Sequence, residues 1–174
     1  MGRFEDALRI THQDLEESRR EDVESRHAQY PPIDQVIAGA LRRDGSLWMR
    51  RPEHPEFLKF RLGQGTDVAR VTIEGADQRS GLPEAIARVR ALADEYSRVT
   101  HVPLVADLRA SGGLGLCGPA DILRQARGAI AAQLAAQYSP AEVIVTCLTS
   151  AERVDGWEWM KWLPHSSSPH SPFG

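Results

Sequence analysis

The chain has 174 residues, 41% hydrophobic and 26% charged, enough for one domain with a hydrophobic core and a helical extension. A formal net charge of -3 gives no basic footprint of the kind nucleic-acid binders carry. No run of about 18 apolar residues is present to span a membrane, and the charged N-terminus does not read as a secretory signal. Two cysteines, Cys117 and Cys147, make neither a disulfide framework nor a metal-ligand set, so a reducing, cytoplasmic setting is expected.

From Phe4 to about Ala28 the sequence lacks Gly and Pro and pairs Glu16 with Arg20 and Asp22 with Arg26 in the favourable acid-first order. Phe4, Leu8, Leu15 and Val23 are its only apolar seam, which predicts a polar stalk helix that buries little surface. Tyr30-Pro31-Pro32 ends it. "IDQVIAGALRRDG" places Ile33, Val36, Ile37, Ala40 and Leu41 on one face of a second helix, with Gly45 as a stop. "EFLKFRLGQG" alternates Leu58, Phe60 and Leu62 with Lys59 and Arg61, a strand whose turn would be Gly63 and Gly65. "ARVTIE" reads as a second strand, and Pro83 to Arg98 as an amphipathic helix. "VPLVADL" and "LGLCG" are expected strands, Pro119 to Tyr138 a helix burying Ile122, Leu123, Ile130 and Leu134, and "EVIVTCL" a β-branched strand. This alternation predicts an α/β fold, a largely parallel sheet flanked by helices and related to the P-loop NTPases. The expected division is a stalk helix over 1–29, the α/β domain over 30–164 and a turn-rich flexible tail or linker over 165–174.

"GGLGLCGPADIL" carries the sharpest chemical question. Gly113 and Gly118 stand at the spacing of a phosphate-binding loop, but Pro119 replaces the lysine and Ala120 the hydroxyl that would hold Mg²⁺. Pro119 also removes an N–H donor, and Asp121 adds a negative charge that repels an anion. A second register ends a strand at Gly118 and removes the loop altogether. The matching acid at the end of "VIVTCL" is likewise missing, since Thr149 and Ser150 stand there. A degenerate site without ATP turnover, cofactor or metal is the expectation. Of the six histidines, His165 and His170 fall in the predicted tail and none forms a metal set. Asp107 and Arg109 read as a structural pair or loop anchor.

Trp157, Trp159 and Trp162 lie together in "DGWEWMKWLPH", either closing the core or forming an interface. With "SLWMRRPEHPEFLKFRLGQG", "VPLVADLR" and "YSP", the segment "WEWMKWLPH" resembles the juxtamembrane cytoplasmic domain of EccC, the FtsK/SpoIIIE-type ATPase of type VII (ESX) secretion systems. The match extends from Tyr30 onward. The resemblance implies a domain of unknown function, ATPase-like in fold, that follows two transmembrane helices and a stalk and precedes a string of ATPase domains. This chain would then be a fragment, tethered at the cytoplasmic face of the membrane by segments outside it. It would link the anchor to the motors through contacts with domains of the same ATPase and neighbouring secretion subunits. No catalytic residue of the family transfers. Two alternatives remain: a noncanonical nucleotide-binding domain with weak ATPase activity, and a DNA-translocase domain, for which Arg42, Arg43, Arg50 and Arg51 would be the basic patch.

Overall fold

The computed structural model describes residues 2–71, 73 and 82–166, with side chains from residue 5 onward. Helix α1 (Gly2–Gln29) stops where Pro31 and Pro32 lack the N–H groups to continue it. Helix α2 (Ile33–Arg42) closes at Arg43, which takes the left-handed conformation at φ 52° and donates its N–H to Ala40 O. Strand β1 (Lys59–Val68) pairs with strand β2 (Arg98–Asp107), and helix α3 (Pro83–Tyr96), with proline in its first turn, lies between them in sequence. Asp107 then caps the short helix α4 (Leu108–Ser111) by accepting from Ala110 N. Gly112, at φ 69°, closes α4 in a backbone conformation that favours glycine. Helix α5 (Ala120–Gln137) and the 3₁₀ helix Ala151–Trp162 complete the order.

The expected largely parallel, P-loop-like sheet is not found. The chain is mainly helical, and the only sheet among the described residues is the antiparallel pair β1–β2. A strand exists only where its backbone groups find a neighbouring strand, and the other apolar runs find none among the described residues. "LGLCG" is irregular and exposed, with neither Gly115 nor Gly118 crowded by any neighbour. "EVIVTCL" is irregular despite its β-branched residues; Val145 N donates to His165 O at 3.1 Å without forming a strand. Of "ARVTIE", residues 69–71 and 73 are outside any strand, and the remainder lies outside the described residues. Gly63 and Gly65 are not a turn, because β1 runs straight through them. A Cβ at Gly65 would approach Leu104 Cδ1 at 2.8 Å, so the glycine makes room for a side chain of β2.

The chain divides into two compact units, Met1–Tyr30 with Gly63–Val105, and Pro31–Leu62 with Ala106–Gly174. In the first unit α1 is held by polar side chains more than by its apolar seam. Arg26 Nε and Asp22 Oδ1 pair at 2.8 Å, both side chains almost fully buried. Arg26 also donates to Asp67 at 3.0 Å and to Val68 O at 2.6 Å. Tyr96 donates to Glu16 at 2.5 Å, with the His12 ring edge-on at 5.5 Å and the Arg19 guanidinium over its face. His101, at φ 60°, turns its carbonyl to accept from both His27 Nε2 and Gln64 Nε2 at 2.8 Å.

The second unit is built on Phe57, Phe60 and Tyr138, with Leu58, Leu108, Ile130, Leu134 and Val143 packed against them. Tyr138 Oη donates to Lys59 O at 3.1 Å, and the buried Arg50 donates to the same carbonyl at 2.6 Å. Buried Gln133 on α5 accepts from Arg61 N and donates to Arg61 O, both at 2.9 Å, standing in for a neighbouring strand. Ile130 and Leu134 are half-buried against this core as expected of α5, whereas Ile122 is 53% exposed.

Candidate protein-interaction surface

The loop that leads into α5 lies open to solvent. Residues 111–121 are exposed, and a Cβ at Gly113, Gly115 or Gly118 would meet nothing within 4 Å. Pro119 sits at the N-cap of α5, Ala120 is its first residue and Asp121 lies in its first turn. Thr149 and Ser150 lie in irregular chain, and Ser150 is the N-cap of the 3₁₀ helix. Cys117 is exposed and Cys147 half-buried, both as free thiols. Among the described residues no three His, Cys, Asp or Glu side chains converge as a metal set.

In the arginine cluster, Arg43 is exposed at the C-cap of α2 and the other three are engaged. Arg42 pairs with Asp44 at 2.9 Å, Arg51 pairs with Glu142 at 2.8 Å, and Arg50 is buried against Lys59 O. Hydrogen bonds from Ser46 and Arg42 hold the Asp44 carboxyl down at about 2. Asp107, expected as a loop anchor, caps α4 and faces Lys59 at 3.5 Å, while Arg109 donates to Pro52 O at 3.0 Å.

The motif residues "LW-x-R" and "LPH" converge on one structural task, the carboxyl end of α5. A helix leaves its last four carbonyls without partners in the helix. Here Ala135 O accepts from Trp48 Nε1 at 3.1 Å, Ala136 O from Trp48 N at 2.8 Å, and Gln137 O from Arg50 N at 3.0 Å. Tyr138 O accepts from His165 Nε2 at 2.8 Å. His165, assigned by sequence to the flexible tail, is therefore fully buried; residues 167–174, including His170, lie outside the described residues.

This cap holds the tryptophan segment beside α5. Met160 is buried, whereas Trp159 is 41% and Trp162 80% exposed. Trp157 is half-buried beneath the Arg127 guanidinium, 4.5 Å from the ring centroid. Trp159 and Leu163 line an open groove of about 370 Å³ with Ile37, Ala40 and Leu41 of α2 and the alanine face of α5. The sequence placed Ile37 and Leu41 on one face with Ile33, Val36 and Ala40, but Val36 alone of these is buried. Ile37 is 43% and Leu41 80% exposed. The signal that could have marked them is an apolar face wider than one neighbouring helix needs. Such a patch of aliphatic and indole surface suits protein docking. A groove of about 470 Å³ in the first unit, between α1 and α3, is bordered by Arg9, Arg88 and Glu95, so charges of both signs surround it.

No family model matches the chain. It is similar to the "ESX secretion system protein EccC" of Thermomonospora curvata, 32% identical over 126 residues, which is 71% of this chain and 10% of that protein. The protein of the same name from Geobacillus thermodenitrificans is 28% identical over 145 residues, 82% of this chain and 10% of its own length. The "ESX secretion system protein YukB" of Bacillus subtilis is 25% identical over 144 residues, 81% of this chain and 10% of its own length. The chain thus spans about a tenth of the curated relatives it matches.

Proposed function

From its homology to one segment of the EccC proteins of ESX secretion systems, we propose that this chain is a non-catalytic part of a type VII secretion ATPase. Its role in this reading is to link the membrane anchor to the motor domains by protein contacts. In this reading the chain lies at the cytoplasmic side of the membrane, tethered by segments outside it. No helix among the described residues is long and apolar enough to cross a membrane. The observation that carries the reading is the apolar groove between α2 and α5, bordered by Trp159 and Leu163, with the neighbouring residue Trp162 exposed. Its partners are other domains of the same protein and neighbouring secretion subunits. In this reading the loop before α5, where Pro119 and Ala120 stand in place of the lysine and hydroxyl, binds no nucleotide, and the chain needs no cofactor.

Two measurements test this. Calorimetry of the chain with millimolar Mg-ATP is expected to give no saturable heat; saturable heat abolished by Gly118→Val would replace the docking reading with a nucleotide-binding one. Association with the remaining domains of the same protein is expected to weaken at least tenfold in Leu41→Asp and Trp162→Ala. Unchanged association in both would remove the groove from the interface.

A further inference from the structure

Arg127 and Gly156 make a contact for which the docking reading has no use. Arg127 lies over the Trp157 ring at 4.5 Å, and its Nη2 donates to Gly156 O at 3.3 Å. A Cβ on Gly156 would come within 3.0 Å of that same Nη2, so the missing side chain lets the guanidinium lie against the backbone. Around this contact the 3₁₀ helix is held unevenly. From Ala151 to Gly156 every side-chain position is exposed, Val154 to 46%. The carboxyl half, by contrast, buries Met160, sets Trp159 and Leu163 in the groove, and receives a bond from Ser166 Oγ to Met160 O at 2.9 Å. Just beyond it His165 is pinned to Tyr138 O.

We propose that Arg127 is a tether for a strap: it holds the amino-terminal half of the 3₁₀ helix, Ala151 to Trp157, against α5 and keeps the Trp157 ring stored beneath its guanidinium. When the tether opens, the strap swings about the carboxyl half, whose apolar contacts and His165 pin stay in place. Opening displays Trp157 and frees the Arg127 cation for an acidic group. Local segments with few buried contacts open far more readily than the body that carries them. The inference concerns this chain alone and does not depend on what docks in the groove.

Hydrogen exchange of the whole chain tests it, together with ¹⁹F spectra of protein carrying fluorotryptophan at its four tryptophans. In Arg127→Ala, exchange over 151–157 is expected to rise about fivefold, the weight of one partly exposed cation–π contact. The Trp157 resonance, assigned through Trp157→Phe, is expected to move while those of Trp48 and Trp162 stay. Arg127→Lys, which keeps a cation but not the planar fork, is expected to fall between. Gly156→Ala reaches the same open state from the other side, by pushing the guanidinium away, and decides the matter if Arg127→Ala does not fold. Unchanged exchange over 151–157 in the folded variants, or acceleration spread equally over α5, would overturn the tether.

Discussion

Tyr96 and the pair Asp22–Arg26 show how single polar side chains hold α1 to its unit. Burial first, then the hydrogen bond to Glu16 and the charge of that carboxylate, push the Tyr96 phenol up to about 12. A raised phenol favours the neutral form in the folded state. Its contribution is therefore complete below the ordinary value of 10.0 and lost as pH rises through about 12. Absorbance of phenolate across an alkaline titration should show a late step near pH 12 that Tyr96→Phe removes; ionisation of every tyrosine near pH 10 would contradict it. At Asp22, burial works to raise the carboxyl, but Arg26, the backbone N–H of Arg70 and both arginine charges outweigh it, and the net direction is down. Asp22→Ala leaves Arg26 buried and deprived of its two-pronged carboxylate partner, which is expected to cost about 3–5 kcal/mol in urea denaturation. Asp22→Leu with Arg26→Met is expected to recover most of that, because no buried charge remains. The i,i+4 spacing of Asp22 and Arg26 was plain in the sequence. Its burial was not, since that depends on Asp67, Val68 and Arg70, all far along the chain.

At the scale of elements, the tryptophan segment separates residues that look alike in sequence. Met160 points inward and Trp162 outward within one 3₁₀ helix. Met160→Ala is expected to destabilise the protein by about 2–5 kcal/mol through the cavity it leaves. Trp162→Ala should change unfolding free energy by no more than about 0.5 kcal/mol, as at an ordinary surface position. Equal losses in the two variants would place Trp162 in the core. The cap of α5 gives a second contrast. Trp48→Phe removes the Nε1 donor to Ala135 O and keeps an aromatic ring, with an expected cost of about 1 kcal/mol. Helices α1, α2, α3 and α5 were legible because Gly and Pro mark their ends and their periodicity is local. The strands were less so: "EVIVTCL" has strand propensity but no partner strand among the described residues, and β1 accepts Gly65 because β2 presents Leu104 there.

For the molecule as a whole, acid is the informative perturbation. Asp22, Asp44 and Asp107 all have folded values below the ordinary 3.8, through hydrogen bonds and arginine or lysine charges. The unfolded chain therefore binds more protons below about pH 4, so stability present at neutral pH falls as pH drops through the folded values. The urea midpoint is expected to be lower at about pH 3 than at about pH 7, with part of the difference removed in Asp22→Asn. An identical midpoint at both would mean that these carboxylates carry no linkage. What the sequence determined by itself was the helical punctuation, the absence of the lysine and hydroxyl at Pro119 and Ala120, and the motif residues that carry the likeness to EccC. These are properties of individual residues and of spacings along one helix. Tertiary structure decided the sheet, the burial of His165 and the exposure of Leu41 and Trp162. Strand pairing and burial are set by which distant backbone and side-chain groups meet, and a local apolar pattern does not specify its own neighbour.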